Sequence, residues 1–155
     1  AHFSGIIGEK WKYCPDNIFP NILKVALRRL DYLKIYGNNW PTIDGSTIRD
    51  FMHVMDLAEG HVAALDFMKQ KESHYLTLNL GTGIETSILE LVNKFKSENK
   101  VDIPLKFMNQ RDGDTPFLLA DSKLAKNILN WEPKKSLSDM CKDGWKFAQK
   151  NPNGF

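Results

Sequence analysis

The chain predicts an α/β or α+β fold, and two observations carry that expectation. Apolar stripes at helical spacing alternate with short runs of strand formers, and Gly, Pro, Asn and Asp punctuate the joins. With 155 residues, 42% of them apolar, the chain can bury one good core, so one domain or one piece of a domain is expected. No internal repeat, low-complexity tract or linker interrupts it.

Ala1 to Pro15 is punctuated by Gly, lacks a clear period and reads as loop. Pro15-Asp16-Asn17 opens a helix, with Asp16 or Asn17 as N-cap and Pro20 in its first turn. Ile18, Ile22, Val25 and Ala26 share a face that Leu23, Leu27 and Leu30 widen, so this helix is buried on a broad side. Tyr32 to Tyr36 is a short strand stopped by Gly37-Asn38-Asn39, and Asp44-Gly45 is a strong turn signal.

On the strand that follows, Ile48, Met52 and Val54 lie on one face, with Arg49, Phe51 and His53 on the other. Leu57, Ala58, His61, Val62, Leu65 and Met68 then recur at helical spacing to about Gln70, and His61 on this stripe reads as a packed core histidine. Tyr75 to Leu80 is rich in strand formers and is ended by Gly81-Thr82-Gly83. Ser87 and Glu90 have capping-box spacing and open a helix with Ile88, Leu91, Val92 and Phe95 on its stripe. Leu105 to Met108 reads as a strand, and Arg111-Asp112-Gly113-Asp114 as a charged turn. Asp121-Ser122 caps a helix carrying Leu124, Ala125, Ile128 and Leu129. The last helix, from about Leu137 to Gln149, carries Met140, Cys141, Gly144, Phe147 and Ala148 and is stopped by Asn151-Pro152.

Acidic and basic residues nearly balance at a net charge of +2, which gives no electrostatic case for nucleic acid or an anionic membrane. Arg28-Arg29 and Lys134-Lys135 read as solvated surface. No apolar run approaches the roughly 20 residues that span a bilayer, and no signal peptide is visible, so a cytoplasmic protein is expected. Cys14 and Cys141 form no C-x-x-C pair, and His2, His53, His61 and His74 show no metal spacing.

Three constellations invite chemistry. Gly81-Thr82-Gly83 follows a strand and precedes a helix, as a pyrophosphate-binding turn would, but the sixth position is Thr86 and no βαβ unit follows. A plain strand-to-helix turn is the better reading. Arg111 and Asp114 flank Gly113: a guanidinium takes two phosphate oxygens and a carboxylate accepts from two sugar hydroxyls, although on spacing alone a surface ion pair in a turn is the better reading. Arg49 is similarly open, since Asp50 or Asp44 could pair with it.

Arg49-Asp50-Phe51-Met52-His53-Val54-Met55-Asp56-Leu57-Ala58 resembles the Arg-Asp-(Tyr/Phe)-(Ile/Met)-His-Val-x-Asp-Leu-Ala signature of the extended short-chain dehydrogenases acting on nucleotide sugars, most closely the UDP-glucose 4-epimerase family. The likeness runs over essentially the whole chain. It includes Ala1-His2-x-Ser4-Gly5, Asn17 in Pro-x-Asn-x-x-Pro, Ile35-Tyr36-Gly37-Asn38, Asn79 to Gly83, Arg111-x-Gly113-Asp114 and the terminal Asn151 to Phe155.

The resemblance implies that Asn17 hydrogen-bonds a diphosphate, that Arg49 and Arg111 neutralise it, and that Asp114 holds the ribose hydroxyls. It also implies that Lys34, Ile35 and Tyr36 meet the uracil ring through their backbone. Phe51 stands where many members have Tyr, which removes one hydroxyl, and Leu118 stands where the family varies a residue beside the hexose, commonly Tyr or Cys.

The family's chemistry moves a hydride between C4 of the sugar and NAD, and needs a Tyr-x-x-x-Lys pair and a Gly-rich nucleotide loop. The fourth residues after Tyr13, Tyr32, Tyr36 and Tyr75 are Asn17, Tyr36, Trp40 and Asn79, so no such pair is present. The chain therefore resembles only the C-terminal, substrate-binding portion of such an enzyme, without the N-terminal Rossmann half. It is expected to bind UDP-hexose, to hold no NAD and no catalytic residue of its own, and to be inactive alone. Its expected partner is the NAD-binding half. The strand over 75–80 and the apolar face of the helix after Met55 would then be uncovered, so self-association is expected as well. A stand-alone UDP-sugar binding module, or part of a related dehydratase or decarboxylase, are the alternative readings.

Overall fold

The computed structural model describes residues 1–9, 17–70 and 75–152. Ten elements follow in chain order: α1 (Ile18–Ala26), β1 (Leu33–Tyr36), β2 (Ile48–Arg49), α2 (Val54–Lys69), β3 (Thr86–Ser87), α3 (Ile88–Asn99), β4 (Leu105–Met108), β5 (Phe117–Leu118), α4 (Lys123–Leu129) and α5 (Leu137–Lys150). This is a mixed α/β arrangement with two small sheets. β1 and β4 pair in parallel from Leu33 opposite Leu105 to Tyr36 opposite Met108. β2 is the centre of the other sheet, antiparallel to β3 and parallel to β5.

One core forms where α1, α3 and α5 meet β1. Ile22, Leu23 and Val25 of α1, Leu91, Val92 and Phe95 of α3, and Cys141, Phe147 and Ala148 of α5 are buried together with Leu33 and Ile35. Phe95 takes edge-on contacts from Phe19 and Trp145, the geometry that ring quadrupoles favour. The stripes read in the sequence for these helices are the buried ones, except that α1 ends at Ala26 and Leu30, read as widening its face, is exposed.

Helix starts follow from local chemistry. The Ser136 hydroxyl accepts from the Asp139 N–H while the Asp139 carboxylate accepts from the Ser136 N–H, a complete capping box at α5. At α3 the Ser87 hydroxyl accepts from the Glu90 N–H and donates to Asp44. Asp44 also accepts from the N–H and hydroxyl of Ser46, closing the turn read at Asp44-Gly45. Gly45 has φ +78°, and a Cβ there would lie 2.3 Å from the Asn38 carbonyl oxygen, so only glycine fits. Asn17 is the N-cap residue of α1 by position, without a side-chain cap bond, while Pro15 and Asp16 lie outside the described residues.

Three expectations need correction. The strand read from Ile48 to Val54 ends at Arg49, because the buried His53 takes the N-cap position of α2, its Nδ1 accepting from the Met55 N–H. The segment Tyr75 to Leu80 forms no strand, although its exposure alternates residue by residue: among the described residues no neighbouring strand offers it a ladder. His61 is exposed, not packed, with Nδ1 2.8 Å from the Leu57 carbonyl oxygen. The α2 stripe around it is equally open, with Val62 at 57%, Leu65 at 58% and Met68 at 56%.

What α2 does bury is its other side. Asp56 and Gly60 are its buried residues, with Gly60 against Leu80 and Trp131. The Asp56 carbonyl accepts from Trp131 Nε1 at 3.1 Å, and its carboxylate accepts from the Lys135 N–H at 2.9 Å. A buried carboxylate is thus spent on fastening the segment that leads from α4 to α5. No helix among the described residues is long and apolar enough to cross a membrane.

Candidate functional site

A cleft of about 840 Å³ opens between the start of α1, strand β1, the Arg49-Asp50-Phe51 segment and the turn before β5. It collects Asn17, Lys34, Ile35, Tyr36, Arg49, Arg111 and Asp114, every site residue read from the sequence except one. Leu118 lies outside it: it is paired with Arg49 in the β2/β5 register and is 63% exposed on the neighbouring strand.

The polar groups are arranged by the elements that carry them. Asn17 ends the approach to α1 and does not spend its amide on capping, so that group remains available to a ligand in the cleft. Among the described residues, strand β1 pairs on one side only. The Leu33 and Gly37 N–H groups donate to carbonyls of the β4 side, so by strand alternation those of Lys34 and Tyr36 point to the open edge. The Tyr36 carbonyl on this edge accepts from Trp40 Nε1 at 3.1 Å, and the N–H groups beside it face the cleft at the spacing a planar, amide-like ring can match.

Arg49 is held by carbonyls, not carboxylates. Its Nη1 donates to Ile48 O at 2.8 Å and Thr115 O at 2.9 Å. Among the described residues no carboxylate lies within ion-pair distance of Arg49 or Lys34, so both bring positive charge to the cleft without an internal counter-charge. Arg111 is arranged differently. Its Nε and Nη2 donate to the two oxygens of Asp114 at 3.0 and 3.3 Å, and its guanidinium stacks 4.4 Å from the Tyr36 ring centroid. The surface ion pair and the ligand-binding pair read at this turn are therefore the same groups. An exposed pair of this kind is worth about 1 kcal/mol or less, so an anion that offers two phosphate oxygens can draw the guanidinium away at little cost.

The aspartate beside Arg49 does not pair with it. Asp50 accepts from the Thr82 N–H at 2.9 Å, the Thr82 hydroxyl at 2.5 Å, the Gly83 N–H at 2.9 Å and the Ala120 N–H at 3.3 Å. Burial works against its charged form, but these donors together outweigh it and hold its pKa below the ordinary aspartate value. Sequence reading missed this role: the partners lie 32 to 70 residues away and leave no local signal.

The same contacts answer the dinucleotide question at Gly81-Thr82-Gly83. The amides that would receive a pyrophosphate there are already bound to a carboxylate, and a Cβ at Gly81 would lie 2.5 Å from Asp50 Oδ2. That turn does not fit the pyrophosphate of NAD. Nor do the described residues contain any group of three or more His, Cys, Asp or Glu side chains that could hold a metal. Burial pushes the Cys141 thiol up to about 12, which leaves it unreactive.

Phe51 faces both the cleft and the core and brings to the cleft a ring without a hydroxyl.

Comparison with known proteins gives one answer. The family model described as GDP-mannose 4,6 dehydratase matches residues 2–144. The chain is 44% identical over its full length to the bifunctional UDP-glucose 4-epimerase and UDP-xylose 4-epimerase 3 of Arabidopsis thaliana, covering 44% of that protein. It is 41% identical to the UDP-glucose 4-epimerase of Bacillus subtilis, covering 45% of it. Its fold matches the UDP-glucose-4-epimerase of Stenotrophomonas maltophila, solved with NAD and formylated UDP-arabinopyranose, with a TM-score of 0.94 and 39% identity over 99% of this chain and 45% of that one. The Bifidobacterium longum enzyme, solved with NAD+ and UDP, also gives 0.94, at 37% identity over 100% of this chain and 46% of that one. The chain thus spans less than half the length of the relatives it matches. On sequence and fold together, it belongs to the GDP-mannose 4,6 dehydratase family, within the extended short-chain dehydrogenase/reductase group.

Proposed function

We propose that this chain is the C-terminal, substrate-binding part of a UDP-glucose 4-epimerase and that its cleft binds the UDP portion of UDP-hexose. The observation that carries the reading is the convergence of Asn17, Arg49, Arg111 and Asp114 with the open edge of β1 in one cleft. In that cleft Arg49 and Arg111 neutralise the diphosphate, Asn17 donates to it, Asp114 accepts from the ribose hydroxyls once Arg111 has turned to phosphate, and the backbone at Lys34 to Tyr36 meets the uracil. Leu118, on the rim, borders the hexose.

Hydride transfer at C4 of the sugar belongs to NAD, which the remainder of the parent enzyme holds. This chain's part is to bind and orient, and alone it is inactive. Its partner is the NAD-binding half, and the protein works in the cytoplasm, in galactose metabolism. The exposed apolar side of α2 favours self-association when that half is absent, and Leu65→Lys should lower the mass seen by light scattering.

The test is complementation. The chain is mixed with the N-terminal part of the Bacillus subtilis relative that it does not match, together with NAD, and conversion of UDP-glucose to UDP-galactose is followed. Activity in the mixture and none in either part supports the reading. UDP binding without any complementation would favour a stand-alone binding module.

A further inference from the structure

We infer that Asp50 is a positioning residue of the cleft, one that acts through Arg49 by fixing β5 and with it the Thr115 carbonyl that holds the guanidinium. The inference rests on the reading of the cleft as a UDP-sugar site. Asp50 and Arg49 are neighbours on one extended segment, and both reach the chain between the Arg111 turn and α4: Arg49 through Thr115 O, Asp50 through the Ala120 N–H. Between those two anchors lies β5, whose register on β2 is only two residues long. So short a ladder fixes a register weakly, and the side-chain bonds at its two ends do the fixing.

The oxygen that accepts from Ala120 also accepts from the Gly83 N–H, and the other accepts from the Thr82 N–H and hydroxyl, so three segments meet on one side chain. The charge matters as well as the geometry. Four donors are satisfied by one carboxylate, which leaves Asp50 without need of Arg49, and Arg49 keeps its charge for an anion. Asp50→Asn keeps the shape but turns one acceptor oxygen into a donor, which faces either the Thr82 N–H or the N–H groups of Gly83 and Ala120, so the junction cannot stay whole in either orientation. With the junction loosened, the Ala120 anchor weakens, β5 can shift on β2, and Thr115 O holds the guanidinium less well.

The test is a double-mutant cycle on UDP affinity with Asp50→Asn, Arg49→Ala and the pair, each checked for native circular dichroism. Asp50→Asn is expected to weaken UDP about tenfold, and the pair to bind no more weakly than Arg49→Ala alone. Losses that simply multiply would overturn the proposal, because Asp50 would then act independently of Arg49. Thr82→Val, which removes a single donor, should shift affinity in the same direction by about twofold and serves if Asp50→Asn does not fold.

A second measurement needs no ligand. Hydrogen exchange at Arg49 Nη1, which donates to Thr115 O, followed by NMR, should be slow in the unsubstituted chain and fast in Asp50→Asn or, if that variant does not fold, faster in Thr82→Val. An unchanged rate in the variant measured overturns the positioning role. Failure of the unsubstituted, folded chain to bind UDP would instead count against the cleft reading, and the exchange data would still decide the role of Asp50.

Discussion

The Nε2 of His53 lies 3.2 Å from the Asp143 carboxylate, so the residue that caps α2 is tied to α5 90 positions further on. Because Nδ1 accepts from the Met55 N–H, the proton sits on Nε2 and the ring is neutral. Burial lowers the His53 pKa from 6.5, and Asp143 offsets only part of that. The unfolded chain therefore takes up the proton more readily. The stability His53 contributes is complete above about 6.5 and is lost as pH falls through that value toward the folded one. Thermal melts between pH 7.5 and 5 should show a falling Tm, and Asp143→Asn should push the histidine's NMR titration lower still.

Glu98 predicts an acid-side effect of ordinary sign. Lys94, then Lys142 and Ser138, hold its carboxyl down to about 2, from 4.5. Its contribution is present above pH 4.5 and is lost as pH falls through the folded value. Titration by NMR should place Glu98 near that value, and Lys94→Met should raise it.

Gly45→Ala should destabilise the chain by about 1–3 kcal/mol, since it puts a Cβ on a positive φ and against the Asn38 carbonyl. Denaturant unfolding measures this. The loss should come with weaker UDP binding if the loop from Gly37 to Ser46 supports β1.

Phe95→Ala should cost about 3–5 kcal/mol, because Phe95 is fully buried where α3 meets α5 and touches two other rings. Loss of the cooperative unfolding transition would be an acceptable outcome; a change below about 1 kcal/mol would contradict the core described above.

How much of this was legible in the sequence depends on how local each cause is. The α5 helix was readable nearly to the residue, because the Met140 to Ala148 stripe and the Asn151-Pro152 stop act within a few turns, while the Ser136–Asp139 capping box went unread. The cleft was readable only through motifs, since nothing local brings Asn17 to Arg111. The segment at 75–80 misled because strand propensity describes the residues and not the presence of a partner. His61 misled for a related reason: periodicity shows which face of α2 is apolar, not whether anything covers it. Asp50 was invisible as a hub because its donors come from Thr82, Gly83 and Ala120, joined only by the fold.

The most direct measurement is a calorimetric titration of UDP-glucose into the purified chain, with UDP alone and Arg111→Ala as controls. The account predicts saturable binding by both UDP-glucose and UDP, weakened about 10- to 100-fold in the variant, the range expected when a charge-assisted contact to phosphate is removed. A folded chain that binds neither ligand, or an Arg111→Ala variant that binds as well as the parent, would contradict the assignment of this cleft to a UDP-sugar.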